Sequence, residues 1–186
     1  MAGNVCPFWV GYLLRSPVRR LWHNPDKILG PHICEGMKVL DIGSAMGFFS
    51  LPMAKMVGPE GRVICIDVQE RMLRSLLKRA QPARVHDRIE TRLCSTNSFC
   101  LEDLEEEIDF ALAFAVVHEV PDCSLFFSQA YRTLRPAGKM LLAEPRGRVS
   151  NNAFEKTISA AKAKGLEVAA TPHIRSTRAV LLQKHS

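Results

Sequence analysis

Two acidic residues, Asp41 and Asp67, stand 26 positions apart, and each sits at the end of a short apolar run. The first run continues as Val39-Leu-Asp-Ile-Gly-Ser-Ala-Met-Gly47, in which Asp41, Gly43 and Gly47 form an Asp-x-Gly-x-x-x-Gly pattern. A strand that ends this way and opens a helix puts glycine where the backbone must turn sharply and let a ligand come close. The second run, Arg62-Val-Ile-Cys-Ile-Asp67, ends on the acid itself. A carboxylate at such a strand tip can accept both hydroxyls of a ribose.

Two classes of nucleoside ligand use this geometry. In a dinucleotide site the strand runs into Gly-x-Gly-x-x-Gly, whose backbone N–H groups receive a pyrophosphate. Here an acid precedes the first glycine, and the position three on from Gly47, where a last glycine would follow, is Ser50. A carboxylate there repels phosphate and attracts a cationic amino group. S-adenosylmethionine (SAM) carries an amino group, a sulfonium charge and no phosphate, so the electrostatics point to it. The competing reading is that each Asp only caps the turn that follows it.

The elements that would position these residues follow a regular rhythm. From residue 37 onward, short apolar runs alternate with helical patterns, as in a parallel sheet with crossover helices. Residues 37–42 and 62–67 predict the first two strands, with a helix over 48–57 closed by Gly58-Pro59. Met72, Leu73, Leu76 and Leu77 recur at helix spacing within 69–80, and Glu70 and Arg74 can pair on the wet face. Residues 88–93 alternate as a third strand, and the acidic stretch 102–107 predicts a solvated loop. Residues 108–114 are apolar almost throughout, as a central strand requires. A helix over 123–134 stops at Arg135-Pro-Ala-Gly138, followed by a fifth strand over 139–144 and a helix over 151–164 capped by Gly165. The last strands, 166–170 and 178–183, lie so close in sequence that they predict an antiparallel hairpin. The expectation is an α/β domain with a seven-stranded, mostly parallel sheet.

Composition narrows the classes. At 186 residues, 47% hydrophobic and 24% charged, the chain has globular proportions and room for one domain. Residues 1–30 differ, with Phe8, Trp9, Tyr12 and Trp22 among scattered basic residues, and read as an arm or lid on a domain of residues 31–186. The charge of +6 is spread without a run of five basic residues, which describes a solvated surface better than a nucleic-acid face. Cys6, Cys34, Cys65, Cys94, Cys100 and Cys123 form no CxxC pair or metal-ligand spacing, so buried reduced thiols and no metal are expected. No stretch has the 18 or so consecutive apolar residues of a membrane span. The apolar run 5–14 has its arginines (Arg15, Arg19, Arg20) after it, unlike a signal peptide, and a cytoplasmic setting is expected. The same run with those arginines also admits an interfacial membrane arm.

The segments VLDIGSAMGFFS, VICIDVQERML, EIDFALAFAVVHEVPD and LRPAGKMLLAEP resemble, in order and spacing, the successive motifs of class I SAM-dependent methyltransferases. The resemblance covers roughly residues 35–145 and is similar to the small-molecule group that includes the ubiquinone/menaquinone-biosynthesis C-methyltransferases. It implies a three-layer Rossmann-like fold and SAM as methyl donor, with S-adenosylhomocysteine (SAH) as product. It implies that Asp41 reaches the SAM amino group and that Gly43, Ser44, Ala45 and Gly47 shape the loop beneath the methionine part. Asp67 would hold the ribose, and Val68 and Gln69 would flank the adenine. The family commonly has Gly-Asp-Ala after the third strand, its Asp bonding the adenine amino group; this chain has Cys94-Ser95-Thr96 there, so a serine hydroxyl replaces the carboxylate. Ala45 occupies the usual place of the loop's middle glycine, which an alanine tolerates while φ stays negative. Ala113 and Phe114 would end the fourth strand beside the transferable methyl group.

His118, four residues past that strand, is the candidate base, with Glu119 as its orienting partner. The Asn/Asp-Pro-Pro-aromatic signature of nucleic-acid amino methylation is missing, as is a Pro-Cys pair for cytosine chemistry. These absences favour a small, apolar or aromatic acceptor in an apolar pocket, with Trp9, Tyr12 and Trp22 closing over it and Arg146 or Arg148 meeting an anionic group. An RNA substrate and a non-catalytic SAM-binding module are the alternatives.

Overall fold

The computed structural model describes residues 22–95 and 97–185. Seven strands form one sheet: β1 (Lys38–Ile42), β2 (Arg62–Asp67), β3 (Ile89–Leu93), β4 (Ile108–Phe114), β5 (Leu134–Pro145), β6 (Leu166–Ala170) and β7 (Thr177–Lys184). Among the described residues five α-helices accompany them: α1 (Pro25–Leu29), α2 (Ser50–Met56), α3 (Glu70–Ala80), α4 (Cys123–Thr133) and α5 (Asn151–Lys162). Short 3-10 turns occupy His86–Arg88 and Val117–Glu119.

The strand order is β3-β2-β1-β4-β5-β7-β6, and β1 to β5 run parallel to one another. Only β7 runs against the rest, pairing antiparallel with both β5 and β6. The predicted hairpin of the last two strands is therefore present, with β7 inserted between β5 and β6. After β1 the chain winds outward to β2 and β3, then returns to place β4 on the other side of β1. A sheet that reverses its winding between two neighbouring strands opens a crevice at their carboxyl ends, where ligands bind in this architecture.

Alternation along the central strands divides the core into two layers. Leu40, Ile42, Ile64, Ile66, Ala111 and Ala113 face α4 and α5, meeting Phe126, Phe127, Phe154 and Ile158. Val39, Val63, Cys65, Phe110 and Leu112 face α1 to α3, meeting Leu29, Met53 and Leu76. This is the three-layer α/β arrangement, with β4 buried on both faces as its sequence demands. The amphipathic pattern of α3 buries Met72, Leu73, Leu76 and Ala80, and Arg74 pairs with Glu70 at 2.8 Å on its wet side.

Several boundaries differ from expectation for identifiable reasons. The segment Arg135-Pro-Ala-Gly138 does not end the region as a turn: β5 already begins at Leu134, which pairs with Ile108 before a register shift, and Ala137 has φ 61° within that irregularity. The acidic stretch 102–107 forms turns, and four of its acids are paired, Asp103 with Arg92, Glu105 with Arg132 at 3.6 Å, Glu106 with Lys184 at 2.9 Å and Glu107 with Lys38. Lys184 is buried and also donates to the carbonyls of Tyr131 and Leu134. Of the arm read over residues 1–30, only 22–30 are described. There Asn24 caps α1 through its side chain, and Leu29 is fully buried in the core. Trp22 lies under the Arg175 guanidinium at 5.3 Å, while Trp9 and Tyr12 fall outside the described residues. All five described cysteines are free, but only Cys65 is buried; Cys34 and Cys100 are exposed. No helix among the described residues is long and apolar enough to cross a membrane.

Candidate active site

Parallel pairing of β1 with β2 sets Asp41 opposite Cys65, two residues short of Asp67, so both acids reach the carboxyl edge of the sheet side by side. The loop after β1 is drawn toward β2 by the N–H groups of Gly43 and Ser44, which donate to Ile66 O at 2.9 and 3.1 Å. Asp67 completes the link: Oδ2 accepts the Ala45 N–H at 2.9 Å, and Oδ1 accepts the Gln69 N–H at 2.8 Å. Each carboxylate oxygen keeps further lone-pair capacity for an outside donor. Burial holds the Asp67 carboxyl above its ordinary range, against the pull of those N–H groups. Asp41 is buried as well, and the Ser50 hydroxyl donates to its Oδ2 at 2.5 Å. The residue that breaks the dinucleotide pattern is thus the one that steadies the first acid.

Glycine is obligatory at two turns of this loop. Gly43 has φ +70°, and a Cβ there would stand 2.4 Å from Val116 Cγ2; Gly47 has φ +79°, with Leu76 2.9 Å from where its Cβ would be. Ala45 departs from the expectation of negative φ. Its φ is +47°, in the left-handed region, and the bond from its N–H to Asp67 keeps it there. Ala115, at the tip of β4, is also left-handed with φ +61°, and its N–H donates to Ala143 O at 2.7 Å. Both strained alanines line the same cavity.

That cavity, about 280 Å3, lies over the carboxyl ends of β1, β2 and β4. Of the residues singled out in the sequence, Asp41, Gly43, Ser44, Ala45, Asp67, Val68, Gln69, Cys94, Ser95, Phe114 and His118 line it. Gly47 does not; it supports the loop from below, against α3. Ala113 does not either, because strand alternation turns it into the core while its neighbour Phe114 faces the cavity. Arg146 is also elsewhere: its Nε donates to Thr177 O at 2.9 Å and joins β5 to β7, and Arg148 is the arginine at the cavity.

His118 has a different partner from the one its sequence neighbours suggest. Its Nδ1 lies 2.6 Å from Glu144 Oε2, whereas Glu119 Oε1 is 3.8 Å from Nε2. A carboxylate can only accept, so Nδ1 carries the proton and the lone pair of the neutral ring sits on Nε2. Glu144, at the end of β5 and 1% exposed, also accepts the N–H groups of Val117 (2.7 Å) and His118 (3.3 Å), clamping the 3-10 turn. The hydrogen bond to Glu144 raises the His118 pKa above its ordinary value, against the effect of burial. Glu144 was not singled out in the sequence, although an acid closing the apolar run Met-Leu-Leu-Ala-Glu144 is the same signal that marks Asp41 and Asp67.

The remaining lining is largely apolar, with Phe48, Phe49, Phe99, Val116, Val120, Pro121 and Phe126. Cys94 is not a nucleophile here, since burial pushes its thiol up to about 12. Ser95 Oγ accepts the N–H groups of Asn97 (3.3 Å) and Ser98 (3.0 Å), which commits both of its lone pairs to the loop.

Residues 33–180 match the family model described as a methyltransferase domain. The chain belongs to that methyltransferase family. It is 30% identical over 109 residues to the arsenite methyltransferase of Halobacterium salinarum, covering 59% of this chain and 27% of that protein. It is 26% identical over 135 residues to the ubiquinone/menaquinone biosynthesis C-methyltransferase of Rickettsia felis, covering 71% of this chain and 53% of that one. The chain thus spans between about a quarter and a half of the length of these curated relatives. A solved SAM-dependent methyltransferase from Aquifex aeolicus superposes with a TM-score of 0.86 at 22% identity, over 96% of this chain and 99% of that one, and so shares the fold.

The family match makes residues 33–180 a methyltransferase domain, with the fold of that SAM-dependent enzyme. Its cavity fits that cofactor on its own chemistry. Two buried carboxylates, Asp41 and Asp67, suit a cationic nucleoside without phosphates. Ser44 Oγ is buried, lines the cavity and has no hydrogen-bond partner among the described residues, so a polar ligand group is needed to satisfy it.

Proposed function

We propose that this protein methylates a small, apolar or aromatic acceptor at the expense of SAM, and that His118 serves as the base. The observation that carries this reading is one cavity that joins two kinds of lining. Asp41, Ser44 and Asp67 supply acidic and polar groups, while Phe99, Val120, Pro121 and Phe126 supply apolar surface, with His118 on the same wall. Asp41 and Ser44 would hold the amino-acid part of SAM, Asp67 the ribose, and Val68 and Gln69 the adenine. The two curated relatives are named for arsenite and for ubiquinone/menaquinone biosynthesis, which supports an acceptor of small-molecule size.

When bound, SAM supplies a methyl group already activated by its sulfonium charge; the acceptor's lone pair takes the methyl, and the carbon–sulfur electrons stay on sulfur as neutral SAH. The protein's own work is to exclude water, align the acceptor and receive its proton. Nε2 of His118 is the receiving atom, because Glu144 fixes the Nδ1–H tautomer and stabilises the imidazolium that forms. The free cysteines fit a reducing, cytoplasmic setting for this activity.

The test is a screen of small hydroxylated, thiol and amine acceptors for SAH release that depends on both acceptor and enzyme. Turnover that His118→Gln suppresses supports the reading. SAM binding without turnover across the screen would leave only a SAM-binding module.

A further inference from the structure

On the methyl-transfer reading, one charge in the cavity bears on the chemistry of the acceptor. Arg148 lines the cavity just after β5, exposed and within electrostatic reach of His118, and is the one permanently cationic side chain among the described lining residues. Its backbone N–H donates to Pro145 O at 3.0 Å, which shapes the turn leading toward Ser150, the N-cap of α5. Its guanidinium makes no ion pair or hydrogen bond with any other described residue. Neighbouring arginines are engaged: Arg146 on Thr177 O, and Arg178 on Asn151 and on the carbonyl of Arg146.

The acids around the cavity do not neutralise Arg148. Asp41 is held by Ser50 and Asp67 by two backbone N–H groups. Glu144 is buried beneath His118 and bonded to it, and Glu119 lies beside His118 Nε2. An unneutralised guanidinium therefore stands at the rim of an apolar pocket. Such a group is a planar, multiple donor that matches a carboxylate in two parallel hydrogen bonds. The rim is also where a charged substituent can stay partly hydrated while the rest of the molecule is buried, avoiding the large penalty of a charge in the apolar interior. Glu119, 3.8 Å from His118 Nε2, repels an anion placed beside that atom, which leaves Arg148 as the group an anion would meet.

We infer that the acceptor is an apolar ring compound bearing a carboxylate, and that Arg148 is the residue that selects it. The ring lies against Phe126, Val120 and Pro121, the acid meets Arg148, and the group to be methylated faces His118.

The experiment compares hydroxybenzoates and hydroxynaphthoates with their carboxamides, which keep the shape and lose the charge. Two readouts are taken: SAH release with SAM present, and the shift in melting temperature of the SAH-loaded protein on adding each compound. Wild type is expected to favour each acid over its amide by about 10-fold or more in kcat/KM, the usual strength of a charged hydrogen bond. Arg148→Gln is expected to bring that ratio close to one, and Arg148→Lys to keep part of it, with calorimetric SAM binding retained in both. Equal preference for acids and amides in wild type, or a ratio that survives in Arg148→Gln, overturns the inference. Acids that neither bind nor turn over while SAM still binds overturn it alone; absence of SAM binding to wild type overturns the methyl-transfer reading beneath it.

Discussion

His118 Nδ1 and Glu144 Oε2 lie 2.6 Å apart although 26 positions separate the two residues in the chain. Parallel pairing of β4 with β5, which sets Phe114 opposite Ala143, brings their carboxyl ends together. The acid thereby fixes the tautomer of a ring that lines the cavity.

A base must be deprotonated to act, so kcat should rise with pH through the His118 pKa, which Glu144 holds above the ordinary histidine value of 6.5. Glu144→Gln removes the main raising influence and should move this acid limb to lower pH while reducing kcat. His118→Gln should lower kcat by about 100-fold, the usual contribution of a positioned base, and remove the limb. pH–rate profiles of the three proteins check this, and a limb at the same pH in all of them would contradict it.

Ala45 sits at φ +47°, where a Cβ costs about 1–2 kcal/mol. Part of that strain is offset in the variant by the extra freedom glycine has when unfolded. Ala45→Gly should therefore stabilise the fold by roughly 0.5–1 kcal/mol, read as a rise in Tm of a few degrees for a domain of this size. An unchanged or lower Tm would contradict the left-handed assignment.

Gly43→Ala sets a methyl group 2.4 Å from Val116 Cγ2 at a φ of +70°. The clash and the backbone strain together should cost roughly 2–4 kcal/mol in urea unfolding. Adding Val116→Ala should recover the steric share only, so partial recovery in the double variant is expected. Full recovery, or none, would show that one of the two effects is absent.

Ser95 has given both lone pairs to Asn97 and Ser98, so it can donate to a purine ring nitrogen but cannot accept from the exocyclic amino group. Ser95→Asp supplies new acceptor capacity and should tighten SAM binding by several-fold, up to about tenfold. Calorimetry reads this directly, and weaker binding would place the adenine elsewhere.

The two strand-tip acids were legible because their signal is local: an apolar run, an acid, then glycine. The strands carried enough alternation and turn chemistry to give the order of elements, and the missing third glycine separated one nucleoside class from another. What could not be read depended on neighbours distant in sequence. Glu119 adjoins His118 in the chain, yet the partner is Glu144, which only the β4–β5 pairing brings near. Arg146 and Arg148 are two positions apart and chemically identical, and the turn after β5 decides which one faces the cavity. The φ of Ala45 is imposed by a hydrogen bond to Asp67 on another strand, a constraint invisible in the loop's own residues. Of Ala113 and Phe114, only the second faces the cavity, because one step along a strand exchanges the two faces.

The claim on which the account rests is that Asp41 and Asp67 together clasp SAM at one edge of the sheet. Titration calorimetry of SAM against wild type, Asp41→Ala and Asp67→Ala, each first checked for a cooperative melt, tests it most directly. Measurable binding to wild type and a loss of affinity of at least about tenfold in each variant are expected. Equal affinity in all three proteins would contradict it.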